Sequence, residues 1–165
     1  MRFSPTHPIR ASPAIYFSGR ATPTVPPTIW RDCCPRNASG RARFELGVEE
    51  SASGRLIGAC DLSLIERHVV DLGYMLGAVD WGKGYATEIA LALIDAAFFD
   101  LRAARVISTV DVNNGASIRV LEKIGMRWEA VFRKHRRAKN RWWDCHLFVL
   151  PREVWEASRV NPSTA

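Results

Sequence analysis

The chain has 165 residues and a formal net charge of +6, with 47% hydrophobic and 24% charged residues. This length suits one globular domain, and this balance of apolar and charged residues excludes a wholly disordered or collagen-like chain. The most apolar stretch, residues 89–99, contains Asp95 and is too short for a membrane-spanning helix. No metal-ligand spacing occurs among the cysteines, which are Cys33, Cys34, Cys60 and Cys145. We therefore expect no metal site, no membrane partner and a cytoplasmic location.

Residues 1–43 carry the whole excess of positive charge, with seven arginines against the single acidic residue Asp32. The same segment holds seven of the nine prolines, which oppose any long helix. We weigh an organellar transit peptide against an irregular arm, and the prolines favour the arm because transit peptides form amphipathic helices. The sequence thus predicts an irregular arm over residues 1–43 and a folded domain over residues 44–165. A nucleic-acid partner is not expected, because the remaining charges balance.

The elements predicted from Phe44 onward follow the order β-β-β-α-β-α-β-β-α. Phe44, Leu46 and Val48 alternate with less apolar residues, the period of a half-buried strand. Further strands are predicted over residues 55–64, 69–76, 105–112, 126–137 and 141–150, and helices over residues 85–101 and 117–124 and from Pro151 onward. Hairpins combined with one β-α-β crossover predict a mixed sheet packed against helices.

A glycine-containing loop over residues 77–84 joins a predicted strand to the longest predicted helix. The first amides of a helix lack intrahelical partners, and glycines let the backbone approach a ligand closely, so this loop suits a phosphate. It departs from the P-loop pattern, since Gly84 stands where a Ser or Thr hydroxyl would bind magnesium. It also departs from the dinucleotide fingerprint, because Thr87 replaces the last glycine.

Three segments resemble the GNAT N-acetyltransferases of the RimJ/RimL-type branch. Residues 81–88, Trp-Gly-Lys-Gly-Tyr-Ala-Thr-Glu, resemble that family's acetyl-CoA pyrophosphate loop. Residues 114–126 resemble the branch's Asn-x-x-Ser helix motif, and residues 71–74, Asp-Leu-Gly-Tyr, resemble its Glu-Leu-Gly-Tyr strand. The resemblance covers roughly residues 44–156 of the chain.

The resemblance implies an α/β (α+β) fold with a mixed, mostly antiparallel, twisted sheet flanked by helices, whose splayed central strands hold acetyl-CoA. It implies direct transfer of the acetyl group to a primary amine, on a small molecule or a protein N-terminus, and it leaves open a homodimer. The implied partners of the pantetheine arm are Met75, Leu76 and Gly77. The implied pyrophosphate site consists of Trp81, Gly82, Lys83, Gly84, Tyr85, Ala86 and Thr87.

The resemblance also implies the reacting groups, with Asn114 beside the cofactor arm or a water and Ser117 near the sulfur as proton donor. The residues alone, without the second motif, favour a turn at Asn114 and a helix-capping hydroxyl at Ser117. Asp71 stands where the family has glutamate and, one methylene shorter, would reach the amine only through water. A surface carboxylate is the alternative for Asp71. Other candidates for the base are His68, His135 and His146.

Two features keep alternatives open. One is a basic hairpin, which is either an anionic-substrate or ribosomal patch or a solvated surface: Arg127, Arg133, Lys134, Arg136, Arg137, Lys139 and Arg141. The resemblance leaves Lys83, Arg119 and Lys123 as candidates for contacts with the nucleotide 3′-phosphate.

The second feature that keeps alternatives open is the acceptor pocket. In this family the pocket is lined by elements that precede the position of Phe44, where this chain shows no helical pattern. A non-catalytic, CoA-binding remnant is therefore the alternative function.

Overall fold

A computed structural model of the chain describes residues 14–17, 42–138 and 140–160. The strands in these ranges are β1 (Ala14–Phe17), β2 (Arg43–Glu50), β3 (Arg55–Glu66), β4 (Val69–Leu76), β5 (Arg105–Asp111), β6 (Arg127–Ala138) and β7 (Arg141–Pro151). The α-helices are α1 (Tyr85–Phe99), α2 (Gly115–Lys123) and α3 (Arg152–Val160), and a 3-10 turn spans Ala78–Asp80. Within the described ranges, no helix has both the length and the apolar character needed to cross a membrane.

One mixed sheet orders the strands β1-β2-β3-β4-β5-β7-β6. The pairs β2–β3, β3–β4, β5–β7 and β6–β7 are antiparallel, whereas β1–β2 and β4–β5 are parallel. The parallel pair β4–β5 is the one joined by α1, as a β-α-β crossover requires. The mixed, mostly antiparallel fold class and the order of elements from Phe44 are thereby confirmed.

One face of the sheet forms the core, and the alternation in β2 shows why. Phe44, Leu46 and Val48 are buried, and Glu45 between them faces the opposite side. On β4 the buried residues Val70 and Leu72 alternate in the same way. Helix α1 packs against β3, β4 and β5, and full burial of each such aliphatic side chain contributes about 1.5–3 kcal/mol. The other face therefore carries the polar side chains of the central strands.

Helix α3 closes the end of the core at the C-terminus of α1. The Trp155 ring is buried and lies 4.7 Å from the Phe98 ring and 4.9 Å from the Phe99 ring. The Arg152 guanidinium donates hydrogen bonds to the Phe98 carbonyl (2.7 Å) and the Ala103 carbonyl (2.9 Å). These contacts satisfy carbonyl groups at and beyond the end of α1, which lack helical partners.

The structure differs from the sequence-based boundaries mainly at the ends of elements. Helix α2 begins at Gly115 rather than Ser117, because Asn114 caps it, and it ends before Gly125, whose positive φ of 87° fits the predicted stop. Pro151 ends β7 rather than opening the last helix, which begins at Arg152. In residues 1–43, the described part includes the strand β1, and the predicted division at Phe44 stays a prediction. Lys139 of the predicted turn lies outside the described residues.

Candidate functional site

The strands β4 and β5 separate after a short stretch of pairing. Their register pairs Val69 with Arg105 and Asp71 with Ile107, and no pair follows. Strand β4 nevertheless continues along β3 to Leu76, and β5 continues along β7. Backbone groups of β4 and β5 therefore face each other across a wedge, as the prediction of splayed central strands requires.

The Ser108 hydroxyl connects β5 to β4 at the point where the two strands begin to separate. Ser108, which is buried on β5, donates a hydrogen bond of 3.1 Å to the Leu72 carbonyl on β4. This bond satisfies the first carbonyl beyond the last strand pair and thus marks where separation begins. Sequence analysis missed Ser108, although a small polar residue within the β-branched strand Arg105–Asp111 was the signal that marked it.

A cleft of about 820 Å³ opens from the wedge and is lined by residues of the strands β2 to β5, by helix α2 and by Arg136 of β6. Two buried polar atoms in it, the Tyr74 hydroxyl and one carboxylate oxygen of Asp111, have no hydrogen-bond partner among the described residues. Burial raises the pKa of Tyr74, and the nearby Ser117 hydroxyl partly offsets that shift. Buried polar atoms nearly always have partners, so these two suit a polar ligand in the cleft.

Asn114 and Ser117 lie together at the mouth of this cleft. The Asn114 side-chain oxygen accepts a hydrogen bond of 3.1 Å from the Ser117 amide, and it caps α2. The capping side chain is thus that of Asn114, for which the sequence predicted a turn or a cofactor contact, and the Ser117 hydroxyl does not cap the helix through this bond. Ser117 remains beside Tyr74 in the cleft, so both hydroxyls belong to the same surface.

The glycine loop leads from the end of β4 into α1 with the geometry of an anion site. Gly82 and Gly84 adopt positive φ values of 76° and 91°, which favour glycine, and a β-carbon at either position would meet no atom within 4 Å. The Gly84 carbonyl accepts from the amides of Thr87 and Glu88. Among the described residues, no acceptor is found for the amides of residues 84–86, the orphan amides of a helix start. The positive end of the helix dipole lies at the same place.

Trp81 and Tyr85 fix the two ends of this loop. The Trp81 indole N–H donates to the Leu76 carbonyl at 3.0 Å, while the ring stays 67% exposed. The Tyr85 hydroxyl donates to the Glu50 carboxylate on β2. The Tyr85 hydrogen bond is the first cause of the lowered pKa of Glu50.

Beneath the loop lies a buried carboxylate. Asp80 is 1% exposed and accepts hydrogen bonds from Arg55, at 2.6 and 3.0 Å, and from Lys83 at 3.1 Å. The Arg55 hydrogen bonds, and then those of Lys83, lower the pKa of Asp80 to about 2. Lys83, a predicted 3′-phosphate contact, therefore has its ammonium group on Asp80, whereas Arg119 and Lys123 are exposed on α2.

Asp71 lies at the last β4–β5 pair, on the face of the sheet opposite to Leu72 and shared with Asp61. It lines a second cavity of about 370 Å³ with Glu129 and His135, and the first cleft does not include it. Burial, and then the negative charge of Asp61, raises the pKa of Asp71 to about 6. The two predicted reacting residues, Asp71 and Ser117, thus line different cavities, which are neighbours because Thr109 of β5 borders both and Asp61 lines the first cleft.

The other predicted bases and the basic hairpin are placed as follows. His135 lines the cavity of Asp71. His68 is exposed, with its Nδ1 atom 3.1 Å from the Arg102 carbonyl, and His146 accepts a 2.8 Å hydrogen bond from the Trp128 indole. Neither of these two lines either cavity. Arg133 of the basic hairpin is 84% exposed in its side chain, which fits a solvated surface, whereas Arg136 of the same hairpin lines the first cleft.

Comparison with known proteins gives a family match and related structures. A model of the acetyltransferase (GNAT) domain matches residues 1–127, which includes residues 1–43 that the motif resemblance left out. The chain is 33% identical over 108 residues to an uncharacterized protein, YkkB, of Bacillus subtilis strain 168 (64% of this chain, 63% of YkkB). It is 34% identical over 110 residues to an uncharacterized N-acetyltransferase, p20, of Bacillus licheniformis (66% and 61%).

Solved structures share the fold. A GNAT-family acetyltransferase from Bacillus anthracis superposes with a TM-score of 0.61 and 31% identity, covering 66% of each chain. Mycobacterium smegmatis RimJ in complex with CoA-disulfide gives 0.65 and 22% identity, covering 76% of this chain and 59% of RimJ. This chain spans less than two thirds of the length of these curated relatives.

Proposed function

Because the chain belongs to the GNAT acetyltransferase family, we propose that it transfers an acetyl group from acetyl-CoA directly to a primary amine. The observation that carries the proposal is the wedge between β4 and β5, which ends beside the anion-suited loop at the start of α1. Acetyl-CoA would occupy both features together, with its pantetheine arm between β4 and β5 and its diphosphate at the glycine loop. The proposal includes membership of the RimJ/RimL-type branch, because residues 81–88 and 114–126 resemble the motifs of that branch.

The residues present fit the cofactor. The buried Tyr74 hydroxyl and Asp111 oxygen offer polar partners in the cleft, and the open space above Gly82 and Gly84 lets a phosphate approach the backbone. The amides of residues 82–86 would bind the diphosphate, whereas the Thr87 amide already donates to the Gly84 carbonyl. The backbone of Met75 and Leu76 on the β5 side of β4 would pair with the pantetheine arm, and an amide there would polarise the thioester carbonyl. The Gly77 amide already donates to the Ile57 carbonyl, and the Leu76 carbonyl accepts from the Trp81 indole.

Acetyl-CoA supplies an activated thioester when it is bound, so the protein has to move only protons. Ser117, beside Tyr74 in the cleft, would donate a proton to the departing thiolate. Asp71, in the second cavity, would accept a proton from the amine through water. Ser117 and Asp71 line neighbouring cavities that share Thr109 of β5, so the departing thiolate and the amine would each have a separate group for proton transfer.

The charge state of Asp71 fits a base that works near neutral pH. With its pKa raised to about 6, the carboxylate is ionised at pH 7 yet more basic than an exposed aspartate. An α-amine, with a pKa of about 8, releases its proton more readily than lysine at about 10.4. A water-mediated base therefore favours a protein N-terminus or another amine of low pKa as acceptor. The free thiols of Cys60 and Cys145 fit a reducing cytoplasm as the site of action.

The proposal is tested first by titration calorimetry of the purified full chain with acetyl-CoA and with CoA. A folded protein that binds neither at millimolar concentration would contradict it. Thiol release from acetyl-CoA with a panel of α-amines and lysine-like amines then separates an enzyme from a CoA-binding remnant. We expect Ser117→Ala to slow turnover by less than about tenfold without weakening CoA binding, because CoA thiolate is a good leaving group.

The matched control for Ser117→Ala is Ser158→Ala. Its hydroxyl donates to the Trp155 carbonyl on α3, far along the chain from the cleft. Turnover by the Ser158 variant should equal that of the wild type. If CoA binds tightly but no amine in the panel releases thiol, the enzyme proposal fails and the remnant alternative stands.

A further inference from the structure

Four charged side chains connect the β2–β3 hairpin to the glycine loop, and we call them the hairpin–loop ion cluster. They are Glu50, Arg55, Asp80 and Lys83. Arg55, the first residue of β3, makes two hydrogen bonds to Asp80, one to each carboxylate oxygen, and its guanidinium lies 3.9 Å from Glu50. Glu50 in turn accepts from the Tyr85 hydroxyl at the start of α1. The hairpin is thus bonded to the middle of the loop through Asp80 and to the start of α1 through Tyr85.

The position of Asp80 needs an explanation, because a buried negative charge beneath an anion site opposes the binding of an anion. Asp80 is 1% exposed and lies two residues before Gly82. A buried carboxylate is tolerated when it is paired and hydrogen-bonded. A two-point bond to a planar guanidinium fixes both the charge and the orientation of the carboxylate. Arg55 supplies that bond, and Lys83 adds a second cation from the loop itself.

We propose that Arg55 is a positioning residue for the diphosphate loop, because it neutralises Asp80 and holds the Ala78–Asp80 turn against the β2–β3 hairpin. The inference rests on the proposed function of the loop as a CoA site. Arg55 acts through Asp80 and the backbone of the loop. Its loss leaves Asp80 with Lys83 as its remaining bonded cation and exposes an approaching diphosphate to the carboxylate charge.

The experiment measures the dissociation constants of CoA and dephospho-CoA for the full chain by calorimetry. We expect Arg55→Met to weaken both ligands roughly 10- to 100-fold, the range for losing charged hydrogen bonds. The two losses should be equal, because both ligands keep the diphosphate. Arg133→Met is the matched control, since Arg133 is 84% exposed and pairs with Asp144 on the distant hairpin. It should leave both constants unchanged.

A second substitution tests the mechanism. In the Arg55→Met background, Asp80→Asn removes the unbalanced charge and should recover part of the lost affinity. A role limited to packing predicts a further loss instead, and that result would overturn the inference. A loss confined to CoA and absent for dephospho-CoA would also overturn it, because it would place Arg55 on the 3′-phosphate.

Two further outcomes separate this inference from the proposed function. If the wild type binds no CoA, the proposed function fails. If the wild type binds CoA and Arg55→Met binds it equally well, only the inference fails. Should Arg55→Met not fold, Arg55→Lys takes its place, because it keeps the charge and loses one of the two hydrogen bonds. It should weaken CoA and dephospho-CoA equally and by less than tenfold, and unchanged affinity would again overturn the inference.

Discussion

Replacing Asp71 with asparagine should stabilise the protein at alkaline pH and leave its stability at acid pH nearly unchanged. Burial beside the last β4–β5 pair, together with the charge of Asp61, raises the pKa of Asp71 to about 6. A carboxyl group whose pKa is higher in the folded than in the unfolded chain prefers to be protonated in the folded state. Its contribution to stability is complete below the unfolded pKa and is lost as the pH rises through about 6.

The magnitude follows from the difference between the folded and unfolded pKa values. An unfolded aspartate has a pKa of about 3.9, so the difference is about 2 units, and each unit corresponds to about 1.36 kcal/mol. Above about pH 7, ionised Asp71 therefore costs about 3 kcal/mol of the free energy of unfolding. Near pH 4 the folded group is protonated and the unfolded group is about half ionised, so the cost has fallen to about 0.5 kcal/mol. Asparagine does not ionise and avoids the loss.

The assay is urea unfolding of the wild type and Asp71→Asn at about pH 4 and about pH 8. The variant should gain stability over the wild type mainly at the higher pH, and its acetyl-transfer rate should fall because it lacks the base. Glu153→Gln, an exposed carboxylate on α3 that lines neither cavity, is the control, and its effect on stability should stay within about 0.5 kcal/mol. A stability difference for Asp71→Asn that is the same at both pH values would refute the reasoning.

Three further predictions concern the loop, the core and the buried thiols. Gly84→Ala has room for its β-carbon but must keep a positive φ, so thermal unfolding should show a loss of about 1–2 kcal/mol and calorimetry a weaker CoA affinity. Trp155→Ala should cost about 3–5 kcal/mol in urea unfolding, whereas the exposed Trp142→Ala should cost less than about 1 kcal/mol. Because burial raises the pKa of Cys60 to about 12, peptide mapping should find Cys60 unalkylated by iodoacetamide in native protein and alkylated in urea.

The sequence predicts the core and the loop well because both depend on local patterns. The alternation of Phe44, Leu46 and Val48 and the apolar residues of α1 specify which faces are buried. Gly82 and Gly84 mark positive φ values because few other residues adopt them. The ends of α2 and α3 are predicted less accurately, since one capping side chain or one strand pair shifts them by a residue or two.

The sequence does not predict contacts that join distant segments. Arg55 and Asp80 are 25 positions apart, and neither belongs to a periodic pattern that would suggest their bond. The length of the β4–β5 pairing is equally hidden, because it depends on the relative direction of two strands and on the hydrogen bond from Ser108. Sequence reasoning therefore found Asp71 and Ser117 individually and did not find that they line different cavities.

The brevity of the β4–β5 pairing has a mechanical consequence. Residues Val69 to Asp71 of β4 pair with β5, and these pairs are all of the backbone pairing between the half-sheet β1–β4 and the half-sheet β5–β7. The hydrogen bond from Ser108 to the Leu72 carbonyl lies at the end of this paired stretch, and helix α1 connects the two half-sheets along the chain. The two half-sheets can therefore tilt relative to each other about this paired stretch, with little change in the hydrogen bonds within each half-sheet. A ligand bound between the half-sheets would connect them as an additional strand would. Its binding should therefore slow amide hydrogen exchange along β4.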